Sequence, residues 1–257
     1  MEMNLRSFAR AAALACLALL TFAAAETHGT ERVRNVVKGI DVSRFQGLIG
    51  WNQVGETDLR FAYIQASRGS GRDCTVVPEE CGPDSFYPRN YANAKAVGLR
   101  VGAYHRAFAQ GGTRSKAKED ARAEANQFIA VVGKVRTKDL RPALDVEYPF
   151  KHLDPPRLRL WIWTWVNRVE KKLRVKPIIY TNASSWSAAG DTTSFATSGY
   201  PLWVANFDVK KPLVPASNWA GKSWTIWQYT SSGRVRGIDG AVDRNRLHKG
   251  FGKLNSH

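Results

Sequence analysis

The chain has few of the residues that would build a metal centre. Three cysteines, two methionines and five histidines are spread over 257 residues, the histidines at 28, 105, 152, 248 and 257. None of these makes an H-E-x-x-H pair or a four-ligand cysteine framework, so no metal and no other cofactor is expected. A G-x-S-x-G elbow is absent, which removes the usual serine-hydrolase arrangement. Acids are scarce, with 22 Asp and Glu against 38 Lys and Arg, a net charge of +16. These cations are scattered, with no block of five or six and no arginine-rich face, so nucleic acid is not the expected partner. Beyond residue 25 no apolar run approaches the roughly 18 residues of a membrane-spanning helix, so no membrane insertion is expected.

What is present begins with an export signal. Arg6 and Arg10 precede an apolar run from Ala11 to Ala24, and Ala23-Ala24-Ala25 supplies small residues for cleavage. Residues 1–25 are therefore read as a removable signal peptide, 26–35 as a flexible lead-in, and 36–257 as one domain acting as a monomer outside the cytoplasm, in the periplasm or extracellularly. Residues 1–25 carry Arg6, Arg10 and Glu2, so the mature chain keeps 36 basic and 21 acidic side chains. A basic exported protein is suited to anionic cell-wall polymers. Two cysteines remain, Cys74 and Cys81, and an even count in an exported chain favours a disulfide closing a small loop.

The organisation is that of alternating strands and helices. Strand-like runs occupy 36–43, 61–67, 99–105, 142–147 and 177–182, with helical spacing over 87–97, 115–132 and 155–173. Ser115 is the expected N-cap of the second helix. Three further strand-like runs, 201–207, 223–230 and 238–243, follow with weak or absent helices. Five strand–helix units and three bare strands predict an α/β fold, an irregular eight-stranded TIM-like barrel of the form (β/α)5(β)3 with about five helices.

The stretch with most chemical content is Ala143-Leu144-Asp145-Val146-Glu147. Period two puts Asp145 and Glu147 on one face at the downstream end of a strand, where a parallel barrel opens its active site. Two carboxyls together suit glycoside hydrolysis, in which one protonates the leaving oxygen and a second supports positive charge at the sugar carbon. A general acid at neutral pH needs a raised pKa, which a neighbouring carboxylate and partial desolvation supply. The bland alternative is an ion-paired rim. Asp41 and Asp243 also lie near the ends of predicted strands.

Taken in order, these motifs resemble the family 25 glycoside hydrolases, the Chalaropsis-type lysozymes. The resemblance runs from Gly39 to Leu247 and rests on seven stretches. They are Gly39-Ile40-Asp41-Val42-Ser43, Gly102-Ala103-Tyr104-His105, 142–147, 177–181, 201–205, 224–230 and 240–245. It implies hydrolysis of the β-1,4 bond between N-acetylmuramic acid and N-acetylglucosamine in peptidoglycan. Glu147 matches the general acid, Asp145 its assisting partner, and Asp41 and Asp243 two further acids at the barrel mouth. Sugar sites stack rings on aromatics and bind hydroxyls with amides, which singles out Tyr104, Tyr180, Trp203, Trp227, Gln228 and Tyr229. Alternation prevents Trp227 and Gln228 from both pointing inward. His105 is read as structural.

Two departures stand out. Gln65-Ala66-Ser67-Arg68-Gly69 replaces a Lys-Ala-Thr-Glu-Gly-like strand, and Arg44-Phe45-Gln46 replaces a loop that often carries His and an aromatic. The competing readings are a non-catalytic glycan-binding module on the same fold and a chitinase-like glycosidase. The second would need acids at Leu140 and Ala143.

Overall fold

The computed structural model describes residues 36–70, 81–248 and 250–255. The expected signal peptide, the lead-in and Cys74 lie outside the described residues. Asn35–His257 forms one compact unit.

The strands are β1 (Val37–Val42), β2 (Leu59–Arg68), the two-residue β3 (Gly82–Pro83), β4 (Arg100–Arg106) and β5 (Ala143–Asp145). They continue as β6 (Ile178–Thr181), β7 (Leu202–Ala205), β8 (Ile226–Gly233) and β9 (Val242–Leu247). The sheet order β1-β9-β8-β7-β6-β5-β4-β2, with β1 also pairing β2, closes an eight-stranded barrel to which β3 adds an edge. Every pairing from β1 through β2, β4, β5, β6 and β7 to β8 is parallel. β9 runs antiparallel to both of its neighbours. Only residues 234–241 separate β8 from β9, too few for the crossover of roughly a dozen residues that a parallel return needs. The last strand is thus turned over relative to a fully parallel barrel.

Seven helices are assigned among the described residues: α1 (Trp51–Gly55), α2 (Tyr87–Ala96), α3 (Arg114–Val132), α4 (Pro155–Leu173), α5 (Ala183–Ser187), α6 (Ser194–Thr197) and α7 (Pro215–Ala220). That is two more than predicted, the extra turns being short pieces in the loops. In α7, residues 216–220 turn left-handed, with φ between 51° and 56°. Helix α4 starts where Asp154 accepts from Arg157 N at 2.9 Å, ahead of two prolines suited to a first turn. It buries Leu158, Trp161, Ile162, Trp165 and Val169 on one face. Helix α3 is capped by Thr113, which accepts from Lys116 N at 3.2 Å, two residues before the expected Ser115.

Large rings fill the barrel interior. Phe61, Tyr63, Trp203 and Ile226 are buried there, with Leu254 closing the floor. Arg141 N donates to Leu254 O at 2.8 Å and Phe251 packs edge-on against Phe61. These rings explain two motif glycines: a Cβ at Gly39 would overlap the Phe61 ring, and one at Gly102 the Tyr63 ring. Gly102→Ala is expected to lower unfolding free energy by about 1–3 kcal/mol through overpacking. Urea denaturation of the pure variant reads this directly, and a stability equal to wild type would contradict the packing described.

Candidate active site

The C-terminal ends of the parallel strands open into a cavity of about 330 Å³ that contains Asp41, Asp145, Glu147 and Asp243 together. Asp243 arrives for a reason opposite to the one expected. It lies near the start of β9, and because β9 is antiparallel its start shares a face with the end of β1. Asp41 and Asp243 are direct cross-strand partners.

Asp41 is buried and accepts from two amide nitrogens: Gln228 Nε2, at 2.9 and 3.1 Å from its two oxygens, and Asn245 Nδ2 at 2.7 Å. Burial nevertheless pushes Asp41 up to about 6, against the lowering effect of these bonds. Burial first, and then the charge of Asp41, push Asp243 up to about 9. Both directions favour one proton shared between the two carboxyls in the neutral range, and the larger rise on Asp243 favours it as the holder.

The second pair lies across the cavity. Asp145 ends β5 and is buried; Glu147, two residues on, has a side chain 31% exposed to the cleft. Arg106, the cross-strand partner of Asp145, stands between them. Its Nε is 3.7 Å from Asp145 Oδ2 and 3.4 Å from Glu147 Oε1. Its Nη1 and Nη2 donate to the carbonyls of Glu147 at 2.9 Å and Tyr148 at 2.6 Å. Burial, reinforced by the charge of Glu147, holds Asp145 well above the usual carboxylate range, although Arg106 opposes this. Asp145 Oδ1 is buried and accepts no hydrogen bond. An acceptor in that state is costly unless a ligand or solvent donor reaches it.

The predicted sugar-binding residues divide into two groups. Tyr104, Tyr180, Trp203 and Gln228 line the cavity, but they serve it from behind. Tyr180 OH donates to Gln228 Oε1 at 2.9 Å, and Trp203 Nε1 to Asn245 Oδ1 at 2.8 Å. Each thus orients an amide that holds Asp41. Trp227 and Tyr229 are not brought to the cavity. Because Gln228 points inward, its neighbours point outward, where the Arg246 guanidinium covers both rings at 5.2 and 4.4 Å. Two exposed aromatics lie close by: Phe45, which lines the cavity, is 67% exposed and has the Arg68 guanidinium over its ring at 5.4 Å, and Tyr148, next to Glu147, is 52% exposed and packs against Phe150. Sequence reasoning missed Arg106 and Asn245. Both were within reach of it, since period two puts Arg106 on the face of Tyr104 and Asn245 on the face of Asp243.

His105 is structural, as expected. It is fully buried, with Ser67 Oγ at 2.8 Å from Nδ1 and Glu124 Oε2 at 2.7 Å from Nε2. Burial pushes His105 down to about 3 and Glu124 up to about 8, directions that favour a neutral hydrogen bond over an ion pair. The native state thus keeps a Glu124 proton that the unfolded chain loses near pH 4. Its stabilising contribution is complete below that unfolded value and is lost as pH rises through about 8. Glu124→Gln keeps a donor for His105 and cannot ionise. Between about pH 5 and 8 its stability is expected to fall less steeply with rising pH than that of wild type, by up to about 1.4 kcal/mol per pH unit. Equal slopes in chemical denaturation would show that the pair is ionised.

Two carboxyl pairs meet at the mouth of a closed barrel, with the partly buried Asp243 favoured to hold a proton, an arrangement suited to the acid–base chemistry of a glycosidase. Comparison with known proteins places the chain within that class. The model of Glycosyl hydrolases family 25 matches residues 40–238, and the chain belongs to that family. It is 32% identical to Lysozyme M1 of Streptomyces globisporus over 227 residues, 85% of this chain and 70% of the relative. It is 26% identical to the N,O-diacetylmuramidase of Chalaropsis sp over 80% of this chain and 96% of that one. The crystal structure of a bacterial lysozyme from Streptomyces coelicolor superposes with a TM-score of 0.72 at 32% identity, covering 85% of this chain and 94% of that one. The protein is a glycoside hydrolase.

Proposed function

We propose that this chain is an exported lysozyme that cleaves the β-1,4 bond between N-acetylmuramic acid and N-acetylglucosamine in peptidoglycan. The observation that carries this is the partly exposed Glu147 beside the buried Asp145, in one cavity with Asp41. Glu147, the member open to the cleft, protonates the leaving glycosidic oxygen. Asp145 assists: its Oδ1, which has no donor, fits the N–H of the substrate's acetamido group and supports positive charge at the sugar carbon. Ionised Asp41 adds negative potential to the same cavity, and Asp243 keeps the proton that would otherwise neutralise it. Phe45 and Tyr148 offer faces on which sugar rings stack. The remaining basic surface favours anionic wall polymers. Residues 1–25 direct export, and Cys74 closes its loop with Cys81 in the oxidising compartment.

Digestion of purified peptidoglycan, with mass spectrometry of the reduced products, tests this reading. Muramic acid at the new reducing ends is the expected result. Glucosamine there would indicate a different glycosidase. Binding to glycan without cleavage would indicate a lectin-like protein.

A further inference from the structure

The cation between the paired acids has a cost that a general-acid site would ordinarily avoid. A neutral-pH acid is usually served by groups that make its proton harder to lose, and a permanent positive charge does the reverse. Guanidinium cannot give up its own proton in exchange, so Arg106 acts on its neighbours by charge and hydrogen bonding alone. It is also fixed in place. The side chain is 11% exposed, its two terminal nitrogens hold the carbonyls of the segment that carries Glu147, and its flat face lies 5.6 Å from the Phe108 ring centre. The cation and the carboxylate it faces are tethered to the same few backbone atoms and move together.

We propose that Arg106 is a positioning residue that sets the proton affinity of the Asp145–Glu147 pair, moving the working pH of the site downward and stabilising the pair once its proton has passed to the leaving oxygen. This rests on the reading of Glu147 as the acid. With both carboxyls ionised the three groups sum to a charge of −1; with one proton present they are neutral. Arg106 therefore favours the ionised partner most in the state that follows proton transfer. The other titratable or charged groups facing the pair are Asp41 on β1, Arg68 on β2, Tyr104 on β4, Tyr180 on β6 and Asp243 on β9. Asp41 and Asp243 raise the affinity of Asp145 for a proton, directly or through their shared charge, whereas Arg106 and Arg68 lower it. Arg106 is the cation in ion-pair contact with both members.

The test compares wild type, R106Q and R106K in the pH dependence of kcat/KM on purified peptidoglycan. A carboxyl 13C NMR titration of Asp145 and Glu147 accompanies it and needs no turnover. For R106Q, both limbs of the profile and both carboxyl titrations are expected to move upward by about 1–3 pH units. R106K, which retains the charge, is expected to stay near wild type. R106M, with an apolar stem and no polar end to bury, is the second neutral variant should R106Q not fold. Titrations that stay where they are in a folded neutral variant overturn the proposal. So does an R106K profile displaced like that of R106Q. If wild type fails to cleave peptidoglycan while the NMR shifts appear, the proposed substrate fails and the role of Arg106 stands.

Discussion

Glu147→Gln is expected to reduce kcat on peptidoglycan by about 10²–10⁴-fold, the usual worth of one positioned general acid. The amide has the size of the acid and can still meet Arg106 through its oxygen, but it has no proton to give to the leaving oxygen. KM should change little, because the side chain reaches the cleft with only part of its surface and the cavity wall is otherwise untouched. Folding should be nearly unaffected. The partly exposed contact with Arg106 is worth about 1 kcal/mol or less, and the two backbone tethers of Arg106 to residues 147 and 148 do not use the Glu147 side chain. Steady-state kinetics and a thermal melt on the same preparation check both halves. Activity within tenfold of wild type would remove Glu147 from the role of acid.

The second large effect is an asymmetry between two neighbouring aspartates. Asp41→Asn should cost at least about 10²-fold in kcat/KM, the scale on which removal of a preorganised electrostatic partner is felt. It should also destabilise the fold. Gln228 Nε2 and Asn245 Nδ2 both donate to Asp41, and an asparagine there presents one oxygen and adds two donors of its own. Its NH₂ would face the O–H of Asp243 and the two amides with too few acceptors for all of them. Asp243→Asn is expected to be mild, because burial and the neighbouring Asp41 favour the protonated form of Asp243 at neutral pH, and an amide N–H can take over donation to Asp41. Comparing the two variants at pH 7 decides the assignment. If Asp243→Asn were the more damaging, the proton would have to reside on Asp41.

How far the sequence went can be judged from particular elements. Helix α4 was legible to the residue, since Asp154, Pro155 and Pro156 punctuate its start and a broad apolar stripe runs through it. The shared facing of Asp145, at the end of β5, and Glu147, two residues beyond it, followed from period two, and the placing of Asp41 from its position near the end of the first predicted strand. The direction of β9 was not read, although the predicted runs 223–230 and 238–243 left only residues 231–237 between them, too few for a parallel crossover; the expectation of a uniformly parallel barrel overrode that signal. Asp243 was nevertheless assigned to the correct face, by a chain of reasoning that needed a parallel strand. The aromatic residues were legible only as a set. Alternation ruled that Trp227 and Gln228 differ in facing, but which one turned inward depended on what Asp41 required, a fact of the tertiary structure. Trp203 and Tyr180 look like stacking platforms in the sequence and turn out to be braces for amides. Arg106 was overlooked because the eye stops at the histidine before it.

The seam between β1 and β9 has a consequence for how the enzyme comes into being. The stored proton and the carboxylate that receives its hydrogen bond are supplied by the earliest and the latest staves of the barrel, separated in sequence by nearly the whole domain. Until the final stave docks, Asp41 has neither Asn245 nor Asp243 beside it, and the catalytic mouth does not exist. With Asp41 in the role proposed for it, activity is expected only once the last stave has docked and the circle is complete.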